Sequence, residues 1–192
     1  MFPPVCEKDG IPKMKKDNRF LPFLLTALII AFDQITKAVI VAKWPRQGSL
    51  IKDVFNNDVL VFYHVRNKAI AFSLGDSIPE QFRFVLFVII PIAVLGFLVW
   101  YYFVTKEFSW LQRWAIAGII GGGIGNIIDR IFRKDGVVDF VSVKFYGLFG
   151  LERWPTFNVA DSSVVVCSLL LLVTMIIPQK NGTVIPPKSL NE

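Results

Sequence analysis

Histidine is almost missing from this sequence: His64 is the only one in 192 residues. Cysteine is nearly as scarce, with Cys6 in a polar N-terminal tail and Cys167 inside an apolar run. No Cys/His spacing can therefore assemble a zinc site, and a disulfide framework is excluded. With one histidine and no nucleophile elbow around it, Ser-His-Asp hydrolysis is excluded as well. Charge is also low, at 19% of residues against the roughly 25% usual in soluble domains. The net charge is +6, yet no basic stripe lies on a polar helix, so nucleic acid is not the expected partner. In an apolar chain such an excess serves juxtamembrane anchoring and topology.

What is abundant is apolar sequence: 54% of residues are hydrophobic and the mean hydropathy is +0.53. The excess falls in four blocks, each near the roughly 20 residues that a membrane-crossing helix needs. The reading is an integral membrane protein, mainly α. It has four transmembrane helices at about 20–42, 84–104, 111–132 and 159–177, and a small extramembrane β-sheet and flap. A single membrane-embedded domain spans 20–178 between tails at 1–19 and 179–192, with long loops at about 43–81 and 133–158. The first block follows Lys13, Lys15, Lys16 and Arg19, but no small-x-small cleavage site follows it, so it is read as an uncleaved helix. Pro91 predicts a kink in the second. Gly118, Gly121, Gly122, Gly123 and Gly125 predict a third helix that packs closely against its neighbours. The basic residues just before the first helix, with Lys106 and Arg113 at the short second turn, place both termini inside and both long loops outside. Val59–Val65 and Val137–Phe145 read as strands, and turn signals at Gly75 and Pro79 follow Asn67–Leu74.

Polar groups at membrane depth cost free energy, so each marks a candidate site. Asp33 and Lys37 stand at i and i+4 and can pair on one face beside Thr36. Asn126 and Arg130 share a stripe with Gly122, while Asp129 and Arg130 can equally be charges at a helix end. Alternation groups Asp139 with Val137, Val141 and Val143, an unusual place for a carboxylate. Asn158-x-x-Asp161 has the form of an N-terminal capping box as well as of a site. Together these residues suggest paired-carboxylate chemistry, in which two close acids share a proton and activate a water against an amide. Two other classes stay open. One is a small proton- or ion-conducting protein using the same acids, although no internal repeat is visible; the other is an assembly factor pairing through its glycine stripe.

Five ordered motifs carry a resemblance: Asp33-Gln-Ile-Thr-Lys37, Arg66-Asn67-Lys-Ala-Ile-Ala-Phe-Ser73, Gly121-Gly-Gly-Ile-Gly-Asn126-Ile-Ile-Asp129-Arg130, Val138-Asp139-Phe140 and Phe157-Asn158-Val-Ala160-Asp161. Over roughly Leu21–Ile177 the sequence resembles bacterial lipoprotein signal peptidase (signal peptidase II). The resemblance implies an aspartic endopeptidase of the inner membrane, with both termini cytoplasmic, that cuts diacylglyceryl-modified prolipoproteins just before the lipidated cysteine. It implies Asp139 and Asp161 as the catalytic dyad. Asn67, Gly122, Asn126, Arg130, Asn158 and Ala160 would line the substrate cleft, with Asp33, Lys37 and Asp129 in support. It further implies no metal or organic cofactor, contact with membrane lipids, and inhibition by a globomycin-type ligand. The stretch from Phe145 to Trp154 is longer than the resemblance leads one to expect, and Cys6 lacks the apolar region a lipobox needs.

Overall fold

The computed structural model describes residues 18–67 and 79–177. Its elements are α1 (Phe23–Lys43), β1 (Leu50–Asp53), β2 (Leu60–Asn67), α2 (Glu80–Phe84), a π-helical turn (Val85–Ile89), α3 (Ile90–Val104), α4 (Trp110–Phe132), β3 (Val137–Val143), a short 3-10 turn (Leu148–Gly150) and α5 (Val159–Ile176). Four helical spans are long and apolar enough to cross a membrane: α1, the run Phe82–Val104, α4 and α5. Large apolar side chains such as Leu28, Phe97, Leu169 and Met175 face outward from them, as lipid-facing surfaces require.

The first span starts three residues later than the apolar block, because Asn18–Pro22 forms a turn that ends in Pro22 at the N-cap. The second begins earlier than expected, at Glu80 behind Pro79. Pro91 is handled by the π-helical turn just before it. Proline has no N–H for the Phe87 carbonyl one turn back, and its ring crowds that carbonyl; the wider turn relieves both problems. Asn67 closes β2, and the motif that follows it, with the signal at Gly75, lies outside the described residues.

α4 is the most buried of the four spans, and its glycines explain why. A Cβ on Gly118 would strike Cys167, and one on Gly122 would strike the Ala160 carbonyl and Val164, both on α5. A Cβ on Gly121 would come within 3.1 Å of the Thr26 backbone on α1, and one on Gly123 within 2.9 Å of Leu95 on α3. The glycine run thus lets three neighbours approach one helix. Thr26 exploits the closeness by donating its hydroxyl to the Ala117 carbonyl at 2.7 Å. Gly122→Ala is therefore expected to destabilise by about 1–3 kcal/mol, because the obstructing atom is backbone. Gly96→Ala, whose Cβ would meet nothing within 4 Å, should be neutral. Thermal unfolding of both variants in detergent checks the pair.

The three strands form an antiparallel sheet in the order β1-β2-β3, with Val65 opposite Asp139 and Asn67 opposite Val137. β1 was not evident in the sequence: it is four residues long and joins β2 through an irregular register. The sheet caps one end of the bundle, where Val138 and Phe140 pack against Ile40 and Trp44. The long stretch after β3 folds back along its free edge: Phe157 pairs with Val141, and Arg153 bridges to Lys144. Arg153 also bonds Ser142 Oγ at 2.8 Å and Asp58 at 2.8 Å, fastening this flap to the loop between β1 and β2. At the opposite end of the bundle Tyr102, Ile116 and Ile120 form a second core.

Candidate active site

The site grows from the helix ends beneath the sheet. α5 starts at Asn158 with the expected capping box: Asp161 N–H donates to Asn158 Oδ1 at 2.9 Å, and Asn158 N–H donates to Asp161 Oδ2 at 3.1 Å. The capping reading of that motif holds, and the same residues also enter a wider network. Asn158 Nδ2 donates to Asp139 Oδ1 at 2.8 Å and to Asn126 Oδ1 at 3.1 Å. Asn126 Nδ2 in turn donates to Asp161 Oδ1 at 2.7 Å. Two asparagines thus tie together two carboxylates that lie 22 positions apart in sequence. Asn67, at the end of β2, completes the grip by donating to Asp139 Oδ2 at 2.9 Å.

Asp139 sits on β3 with its neighbours Val137, Val138 and Phe140 all buried. The expected alternation of an apolar and a polar face is absent here: Val138 and Phe140 pack with Ile40, while Val137 and Asp139 line a cavity on the other side. Burial and then the negative charge of Asp161 push the Asp139 carboxyl up to about 7, against the opposing pull of the Asn67 and Asn158 amides. Asp139 and Asp161 open onto one cavity of about 330 Å³, which Asn67, Asn126 and Arg130 also line. Its remaining wall is mostly apolar and includes Trp154, Phe157, Val164 and Val165. Trp154 and Phe157 come from the flap, whose tertiary position leaves no local pattern in the sequence, and Val164 and Val165 from α5.

Behind the cavity lies a buried ionic layer. Lys37 Nζ contacts Asp33 Oδ2 at 2.8 Å, Asp129 Oδ2 at 3.1 Å and Asn126 Oδ1 at 3.0 Å, which uses all three of its N–H groups. Asp33 Oδ1 accepts the Ala160 N–H at 3.0 Å, so α1 also helps cap α5. Asp129 accepts from Arg133, Gln34 and the Val138 N–H, locking α4 to the start of β3. Gln34 was missed as a site residue, although it is an amide in an apolar span, the same criterion that singles out Asp33. Thr36 turns away, donating to the Phe32 and Asp33 carbonyls of its own helix. Gly122, Asn158 and Ala160 are not among the cavity's lining residues. Gly122 and Ala160 provide the close α4–α5 approach, and Asn158 bridges from behind. His64 is likewise away from the cavity, buried with Nδ1 2.6 Å from the Trp44 carbonyl. Among the described residues no group of His, Cys, Asp and Glu could hold a metal ion.

The model of the family described as signal peptidase (SPase) II matches residues 25–177. The chain belongs to the signal peptidase II family. It is 40% identical over 163 residues to the lipoprotein signal peptidase of Treponema pallidum (strain Nichols), covering 85% of this chain and 87% of that one. With the lipoprotein signal peptidase of Treponema denticola the identity is 45% over 162 residues, covering 84% and 92%. Two solved bacterial membrane enzymes are similar in fold. One has a TM-score of 0.67 at 27% identity, covering 81% of this chain and 87% of that one. The other has a TM-score of 0.68 at 26% identity, covering 83% and 94%. Membership in this family makes the chain a multi-pass membrane protein and a protease acting on lipoprotein signal peptides, which sets aside the conducting and assembly-factor readings.

Proposed function

We propose that the protein is an aspartic endopeptidase that cleaves diacylglyceryl-modified prolipoproteins immediately before the lipidated cysteine. The observation that carries this reading is the shared cavity onto which Asp139 and Asp161 both open, held by Asn67, Asn126 and Asn158. Near neutrality the raised Asp139 retains its proton and polarises the scissile carbonyl. Asp161 takes a proton from a water, whose oxygen attacks the carbonyl carbon. As the tetrahedral intermediate collapses, the proton from the dyad passes to the departing nitrogen. The other polar groups position this pair. Asn126 is itself held by Lys37, so the ionic layer fixes the amide that orients Asp161. Arg130, which lines the same cavity, supplies a cation beside the two acids.

The sheet and flap sit at the outer face of the inner membrane in this reading, and both termini lie in the cytoplasm. A diacylated cysteine keeps its acyl chains in the bilayer, so its scissile bond reaches the helix ends where the dyad lies. Globomycin-type ligands would occupy the same cleft. Incubating the purified enzyme with diacylglyceryl-modified and unmodified precursors, followed by mass spectrometry, tests the reading. A new free amino terminus at cysteine is expected from the modified substrate alone; equal cleavage of both would count against lipid recognition.

The proton assignment also fixes a pH dependence. Because Asp139 must be protonated, the rate is expected to fall as pH rises through about 7, by up to about tenfold per further unit. The Asn67 amide favours the charged form, so Asn67→Ala should carry this alkaline limb to higher pH. A limb unmoved in Asn67→Ala would mean that another group titrates there.

A further inference from the structure

A second cavity, of about 280 Å³, adjoins the first and shares Asn67 and Arg130 with it. Its wall brings Arg83, Arg130, Arg133 and Lys134 together with Phe87 and Val88 of the π-helical turn. No carboxylate is among the described residues that line it, and Arg83 is not without a partner of its own. Arg133 is committed to Asp129, but Lys134 is exposed and makes no ion pair among the described residues. Four cations gathered at the end of two membrane spans form a receptor for a phosphate-bearing headgroup.

The same two helices continue this cavity into an apolar groove. From Val88 the stripe Ile92, Leu95 and Gly96 descends one side, and from Arg130 the stripe Ile127, Ile124 and Ile120 descends the other. Leu95 and Gly96 stand three and four residues beyond Ile92, itself four beyond Val88, and the other stripe also steps by three and four, which keeps each on one helix face. They enclose about 290 Å³ with almost no polar surface, and Gly96 leaves the groove open where any side chain would fill it. Cationic head pocket and apolar channel are thus collinear along α3 and α4.

We infer that this composite site binds an anionic phospholipid, with its phosphate among Arg83, Arg130, Arg133 and Lys134 and an acyl chain in the α3–α4 groove. The assignment shares Arg130 with the peptidase reading and otherwise rests on charge and shape outside the dyad. It places an ordered lipid beside the catalytic cavity, separated from Asp139 and Asp161 by Arg130.

Native mass spectrometry of the full chain in detergent tests it. The probes are phosphatidylglycerol and phosphatidylcholine of identical acyl chains, supplied in equal amounts. Wild type is expected to retain phosphatidylglycerol in preference to phosphatidylcholine, and Lys134→Glu to reduce that preference by about five-fold or more. Gly96→Leu, which has room for a side chain, should lower retention of both lipids by filling the groove. Soluble glycerol phosphate should not displace the lipid, because it has no chain for the groove. Equal retention of the two lipids by wild type, retention unchanged in both variants, or displacement by glycerol phosphate would each overturn the assignment.

Discussion

Asp139→Asn and Asp161→Asn are each expected to lower cleavage of lipidated precursor by about a thousand-fold or more while leaving the protein folded. An amide matches the size of a carboxylate but can neither take the proton of a water nor pass one to a leaving nitrogen. The hydrogen bonds around Asp139 tolerate the change. Its Oδ1 faces Asn158, whose own Oδ1 is engaged by the Asp161 N–H, so Asn158 cannot flip. The new NH2 group would instead face Asn67, whose amide would have to turn to present an oxygen to it. At Asp161 the substitution forfeits one bond, from Asn126 or from the Asn158 N–H, a modest loss of about 1 kcal/mol. Because the two acids act as a unit, the double variant should be little worse than either single one. Rates from the purified variants, with thermal unfolding alongside, separate lost chemistry from lost fold.

Lys37→Met carries the largest expected effect on stability. The lysine is fully buried and is the cation that both Asp33 and Asp129 contact through their Oδ2 atoms. Removing it leaves two buried carboxylates without the cation they share, which costs about 3–5 kcal/mol. Asp129 keeps Arg133 and the Val138 N–H, so Asp33 becomes the greater liability. Adding Asp33→Asn to Lys37→Met should therefore recover part of the loss, as seen by unfolding in micelles. If Lys37→Met unfolds like wild type, the ionic layer is not what joins α1 to α4.

How much of this was legible in advance depends on the range of each interaction. The four spans follow from apolar runs alone, since membrane thickness sets their length. The Asp33–Lys37 pair follows from helix periodicity, but its third member does not. Asp129 reaches Lys37 only because Gly121 and Gly125 let α4 lie against α1, and no spacing rule joins positions 37 and 129. Gln34, by contrast, was legible, being an amide in an apolar span like its neighbour Asp33. Pro91 announced a distortion but not its form; the π-helical turn needs the Phe87 carbonyl to be considered as well. Alternation in β3 did not reveal that residues 137–140 are buried on both faces, and Phe157 and Arg153 reach its free edge from beyond any local window. The dyad itself entered through ordered motifs rather than physics. What the fold adds is its means of assembly, a pair of asparagines cross-bonding two acids.

In the proposed mechanism a water, rather than an enzyme oxygen, attacks the scissile bond. Single-turnover cleavage in heavy-oxygen water, with mass spectrometry of both the released signal peptide and the enzyme, examines this directly. One heavy oxygen is expected in the peptide's new carboxylate and none in Asp139 or Asp161. Heavy oxygen appearing in either aspartate would mean that an acyl-enzyme forms, and the paired-carboxylate mechanism would have to be abandoned.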